Sequence, residues 1–62
     1  MAKVSITVNL ETEQAIAFSQ FLKRVTYGDY RNNATSDDEA YSMQSAGGEI
    51  KVALAKKGFE PR

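Results

Sequence analysis

Lys3-Val4-Ser5-Ile6-Thr7-Val8-Asn9-Leu10 alternates without a break: Val4, Ile6, Val8 and Leu10 fall on one side, Lys3, Ser5, Thr7 and Asn9 on the other. A period of two marks a half-buried β-strand, and β-branched Val and Ile suit one. No other segment of the 62 residues repeats this period, so the strand has no partner in its own chain. A lone strand leaves the N–H and C=O groups of both edges open, which favours pairing with the same strand of a second copy. The fold expected is therefore α+β, a single β-strand followed by two α-helices (β-α-α). Val4, Ile6 and Val8 would form the dimer strand of a homodimer.

Length and composition press in the same direction. A chain this short buries only about 60% of the surface its unfolded form exposes. At roughly 1.5 kcal/mol of ordering entropy per residue, folding costs on the order of 90 kcal/mol. A chain that is 42% apolar can barely offset that cost alone. Without cysteine or histidine, disulfides, thiolate or imidazole zinc sites and Ser-His or Cys-His machinery are excluded. Eight basic and eight acidic residues cancel, so no overall field draws the chain to nucleic acid or an anionic membrane. No apolar run approaches the ~18 residues of a membrane span, and Met1-Ala2-Lys3-Val4-Ser5 leads into alternation, unlike a secretory leader. The expectation is a soluble, cytoplasmic protein.

After Leu10 the period becomes helical. Ala15, Phe18, Leu22 and Val25 form one apolar stripe with Phe21 beside it, predicting a helix from about residue 11 to 25. Asn9 or Glu11 is placed to cap it, and Glu13 at its start and Lys23 and Arg24 at its end suit the helix dipole. Ile16 lies off the stripe and reads first as an ordinary exposed residue, second as a contact point. Residues 26 to 35 carry Gly28, Asp29, Asn32 and Asn33 with no sustained apolar period, and read as a connecting loop.

Ser36-Asp37-Asp38-Glu39 has the form of a capping box, with Ser36 and Glu39 satisfying each other's backbone amides. The helix it opens places Met43, Gly47, Ile50 and Leu54 on one stripe, with Ala46 and Ala53 flanking, and stops at Lys56-Lys57-Gly58. Phe59 is placed to fold back on Leu54 in a Schellman stop. Gly47-Gly48 predicts either a bend or the close approach of another backbone, because each glycine costs about 1 kcal/mol inside a helix. Tyr41, Val52 and Ala55 give the helix a second apolar face. No repeat or linker divides the chain, so residues 1 to 62 form a single small domain.

Chemistry-bearing clusters are few. Consecutive helical residues point about 100° apart, so Asp37, Asp38 and Glu39 serve the helix end and do not converge on an ion. No catalytic residue, metal site or cofactor is expected. Tyr27-Gly28-Asp29-Tyr30-Arg31 stands out, because tyrosine and arginine dominate binding hot spots and Lys23 and Arg24 flank them. Tyr27, Tyr30, Arg31, Lys23 and Arg24 are the candidate partner-binding residues. The plainer reading makes the tyrosines a cap on the small core, with the hydroxyls in water.

The stretch Val4 to Val25 resembles the first half of a ribbon-helix-helix repressor, in which paired strands read DNA in the major groove. That resemblance implies Lys3, Ser5, Thr7 and Asn9 as base-reading residues. The second half departs from the pattern, since the connection is long and the second helix opens on three acids where phosphate would bind. Over nearly the whole chain, Glu13-Gln14-Ala15, Gln20-Phe21-Leu22-Lys23-Arg24-Val25, Asp29-Tyr30-Arg31, Asp38-Glu39-Ala40-Tyr41, Ala53-Leu54 and Gly58-Phe59-Glu60-Pro61-Arg62 resemble short accessory proteins of temperate phages and prophages. This second resemblance implies a non-enzymatic protein in the bacterial host cell that binds a host or phage macromolecule, first of all a protein. The alternative is a ribbon-helix-helix-like DNA-binding regulator.

Overall fold

The computed structural model describes residues 2 to 60. Three helices follow one another: α1 (Thr12–Arg24), α2 (Tyr27–Asn32) and α3 (Asp37–Lys56). α1 and α2 each pack on α3 and not on one another. No helix among the described residues is long and apolar enough to cross a membrane.

The expected β-α-α fold is corrected. Residues 2 to 10 carry no strand, and the described chain is all helical. Alternation gives a segment one apolar side but supplies no ladder to pair with, and an unpaired extended segment is not a strand. The row meant for burial stays in solvent, with Val4 86%, Ile6 73% and Val8 69% exposed. Residues 26 to 35 are corrected too, for α2 lies inside the expected loop. Its start is a reciprocal cap: Asp29 N–H donates to Thr26 Oγ1 (3.3 Å) and Thr26 N–H to Asp29 Oδ2 (2.9 Å). Thr26-Tyr27-Gly28-Asp29 carries the Ser/Thr-x-x-acid spacing of such a box, a signal hidden by the turn formers within it.

The two long helices stand close to their expected limits. Glu11 caps α1, its N–H donating to Gln14 Oε1 at 2.8 Å. At α3, Glu39 N–H donates to Ser36 Oγ (3.2 Å), while the Glu39 carboxylate takes the Thr35 N–H (2.8 Å) and not the expected Ser36 amide. The stop is of the Schellman type: Phe59 N–H reaches Leu54 O (3.0 Å), Gly58 N–H reaches Ala55 O (2.9 Å), and Gly58 takes φ 93°, which glycine adopts without strain.

The buried stripes differ from the periodic ones. On α1 the buried residues are Ala15, Ser19 and Leu22, and Phe18 and Phe21 instead stack on each other outside, centroids 5.4 Å apart. Ser19 is accommodated because its hydroxyl donates to Ile16 O at 2.7 Å, the usual way a buried hydroxyl is satisfied. On α3 the buried residues are Ala40 and Gly47, while Ile50 and Ala53 face out. α3 runs unbroken through Gly47-Gly48. What comes close at Gly47 is neither a bend nor a backbone but the Tyr30 side chain.

Candidate functional site

The residues singled out around Tyr27 gather where α2 lies on α3. Tyr27, the first residue of α2, and Asp37, the first of α3, face each other across the Asn33–Ser36 turn. The Tyr27 hydroxyl donates to Asp37 Oδ1 (2.9 Å), and Arg31 Nε donates to the same oxygen (2.8 Å). Arg31 Nη1 also donates to Ala34 O (3.2 Å), which ties down the turn between the helices. The Tyr27 ring lies against the Tyr41 ring, centroids 5.0 Å apart and inclined by 31°. Tyr41 is exposed on its other side and Arg31 is half-buried.

This arrangement brings together Tyr27 and Arg31, adds Asp37 and Tyr41, and leaves the rest of the candidate set elsewhere. Tyr30 turns inward, with its hydroxyl against Gly47. Lys23 and Arg24 are exposed at the end of α1, and Lys23 borders a separate groove with Lys51, Val52 and Glu60. Capping spacing assigns Asp37 only a helix-end role. A pairing over ten residues from Tyr27 has no local spacing rule to announce it. Tyr41 was visible only as part of a second apolar face. Lys3, Ser5, Thr7 and Asn9 are all exposed, and Val4, Ile6 and Val8 lie on the unpaired segment. No group of three acidic residues placed to hold a metal occurs among the described residues.

The cluster shifts two titrations in opposite directions. The Tyr27 hydroxyl is pushed up to about 12, first by loss of solvent around it, then by its hydrogen bond to Asp37 and the charge there. The Asp37 carboxyl is held below the usual carboxylate range, first by the Tyr27 hydroxyl and then by Arg31. Asp37 is depressed on folding, so its contribution is full above about pH 4 and fades as pH falls through its folded value. Tyr27 is raised, so its contribution is full below about pH 10 and fades as pH rises toward 12. Chemical denaturation from pH 3 to 11 should show stability lost at both ends. Asp37→Asn should flatten the acid limb and Tyr27→Phe the alkaline one. Unchanged limbs in these variants would mean that the clasp contributes nothing.

Chemically, the cluster offers an exposed aromatic face beside a fixed guanidinium. Its hydroxyl beside a carboxylate, Tyr27 on Asp37, keeps its proton, since loss of solvent and that contact push the Tyr27 titration up to about 12. Against known proteins, no curated protein and no solved structure matches the chain. One family model, described as a family of unknown function (DUF7706), matches residues 1–62. With that match running from end to end, the chain belongs to the DUF7706 family of unknown function.

Proposed function

We propose that this protein is not an enzyme and works by binding another protein through the edge where Tyr27, Arg31 and Tyr41 meet. The observation that carries the reading is the aromatic pair held in place by Asp37 and still open on the Tyr41 side. Binding energy concentrates in tyrosine and arginine side chains, and much of the cost of docking is the ordering of such groups. Here Asp37 already orders Tyr27 and Arg31, so a target that covers Tyr41 loses little further entropy. The resemblance to accessory proteins of temperate phages and prophages supports placing this contact in a bacterial cytoplasm, with a host or phage protein as target.

The DNA-binding alternative has less behind it. It needed a paired ribbon to present Lys3, Ser5, Thr7 and Asn9, and the described residues hold no strand. Asp37, Asp38 and Glu39 crowd the start of α3, where a phosphate would otherwise bind.

A photo-crosslinking amino acid at Tyr41, compared with the same group at exposed Glu49, tests the reading in cells that naturally carry the protein. The expected result is one discrete adduct, at least tenfold stronger from position 41 and unaffected by nuclease. Equal yields at the two positions, or an adduct that nuclease removes, would overturn it.

A further inference from the structure

Nothing among the described residues accounts for Gly48. A glycine weakens a helix wherever alanine would fit, and here alanine fits, because its Cβ would meet nothing within 4 Å. Gly47 beside it is explained by the Tyr30 ring. Gly48 is exposed instead, on the floor of a groove of about 600 Å³ lined by Lys23 from α1, by Lys51, Val52 and Ala55 from α3, and by Glu60. A smaller hollow of about 170 Å³, bordered by Gln44, shares Gly48 and Lys51 with it and carries the depression back along α3.

The groove continues toward the Tyr41 edge. At about 100° per residue, Tyr41, Gly48, Val52 and Ala55 fall within about 60° of one another, a strip about 21 Å long on one side of α3. Charge is uneven along it. Asp37 and Asp38 stand in the first turn of α3, at the Tyr41 end. At the other end Lys23 and Lys51 flank the groove against the one carboxylate of Glu60. Among the described residues the only ion pair is Arg31 with Asp37, so neither lysine has a carboxylate within 4.0 Å. In a chain whose charges cancel overall, this groove keeps a positive surplus. The two ends lie farther apart than the ~8 Å over which charges act in physiological salt, so each end is read on its own.

We propose that the groove between Lys23 and Lys51 takes an acidic segment of the target protein, with carboxylates at the two lysines and a small apolar side chain over Gly48 against Val52 and Ala55. The inference rests on the reading of Tyr41 as a target contact, and adds what the rest of that target carries. Charge selects this occupant, because a carboxylate held between two ammonium groups gains from both, and neither has to leave an existing partner. The apolar floor selects a peptide over a nucleic acid. A phosphate chain offers nothing to Val52 and Ala55, and continued along the strip it would meet Asp37 and Asp38. The missing side chain at Gly48 lets the backbone of the segment come close to α3.

The probe is a library of short random peptides displayed on yeast and sorted for binding to the full chain. Asp and Glu should be enriched in the selected peptides over the unsorted library. Synthetic copies should bind Lys23→Glu, Lys51→Glu and Gly48→Leu at least tenfold more weakly than the parent. Gly48→Leu should keep or raise the melting temperature, which separates a filled groove from a damaged fold. Selection of basic or uncharged peptides, selection of none, or affinities that Gly48→Leu leaves unchanged would overturn the inference. So would tighter binding of a random oligonucleotide pool that Lys51→Glu removes. Failure of the Tyr41 contact looks different: an adduct from position 41 with no acidic peptide selected removes the groove alone, whereas equal crosslinking from 41 and 49 beside selected acidic peptides removes the edge and leaves the groove.

Discussion

Gly47→Ala should destabilise the protein by about 1–3 kcal/mol, while Gly48→Ala, one residue along the same helix, should stabilise it by about 0.5–1 kcal/mol. Helix propensity alone favours alanine at both positions by about 1 kcal/mol, so the opposite sign at Gly47 must come from tertiary contact. A Cβ built at Gly48 meets nothing within 4 Å. At Gly47 it would run into the Tyr30 hydroxyl, 3.1 Å from Cζ of that ring and 3.7 Å from Leu22 Cδ2. The Tyr30 ring must swing off Gly47 to make room. It sits on α2, whose start is locked by Thr26 and Asp29 and whose end is held by Asn33 Nδ2 donating to Asp29 O at 2.9 Å. With α2 fixed at both ends, relief falls on the Tyr30 side chain, whose ring loses its packing beside Gly47 and Leu22. Tyr30→Phe in the Gly47→Ala background should recover part of the loss, because it removes the atom in the way and leaves the tight Cζ contact. Urea denaturation at one fixed protein concentration measures all three variants. A Gly47→Ala protein as stable as the parent would show that Tyr30 does not press on α3 as described.

The same contact shows what the sequence could and could not disclose. Gly47 was visible as an anomaly, a glycine in a helix where alanine would serve better, but spacing along one helix says nothing of which neighbour fills the gap. Helix ends were legible because capping is local: Glu11, Ser36 and Gly58 act within a few residues of themselves. The interior faces were less so. Phe18 belongs to the apolar period of α1 and Ser19 does not, yet Ser19 is buried, because a small hydroxyl satisfied by its own helix allows α3 to approach where a phenyl ring would hold it off. The segment from Lys3 to Leu10 misled for a related reason. Its alternation correctly marks one apolar side, but strand structure is a property of two segments, and one segment cannot report the second. Among the candidate binding residues, Tyr27, Tyr30 and Arg31 were identified by type. Their separation into an open clasp at Asp37 and an inward wedge at Gly47 depends on contacts between α2 and α3 that no periodicity encodes.

The second large effect is expected at Leu22. It is 7% exposed and is the largest side chain in the small buried set, whereas Ile16 on the same helix is 50% exposed. Leu22→Ala should cost about 2–5 kcal/mol, and Ile16→Ala less than 1 kcal/mol. The upper part of the first range is the expectation, for a structural reason. The cost of a deletion depends on how far the surroundings collapse into the space. Around Leu22 stand Tyr30, held on α2, and Gly47, which has no side chain to swing inward, with Val25, Gln44 and Lys51 at the edge of the same hollow. A domain of this length has only about 3–9 kcal/mol of total stability, so Leu22→Ala should remove a large share of it. Circular dichroism melts decide this, and a Leu22→Ala protein within 1 kcal/mol of the parent would mean that the three helices are not held together at this point.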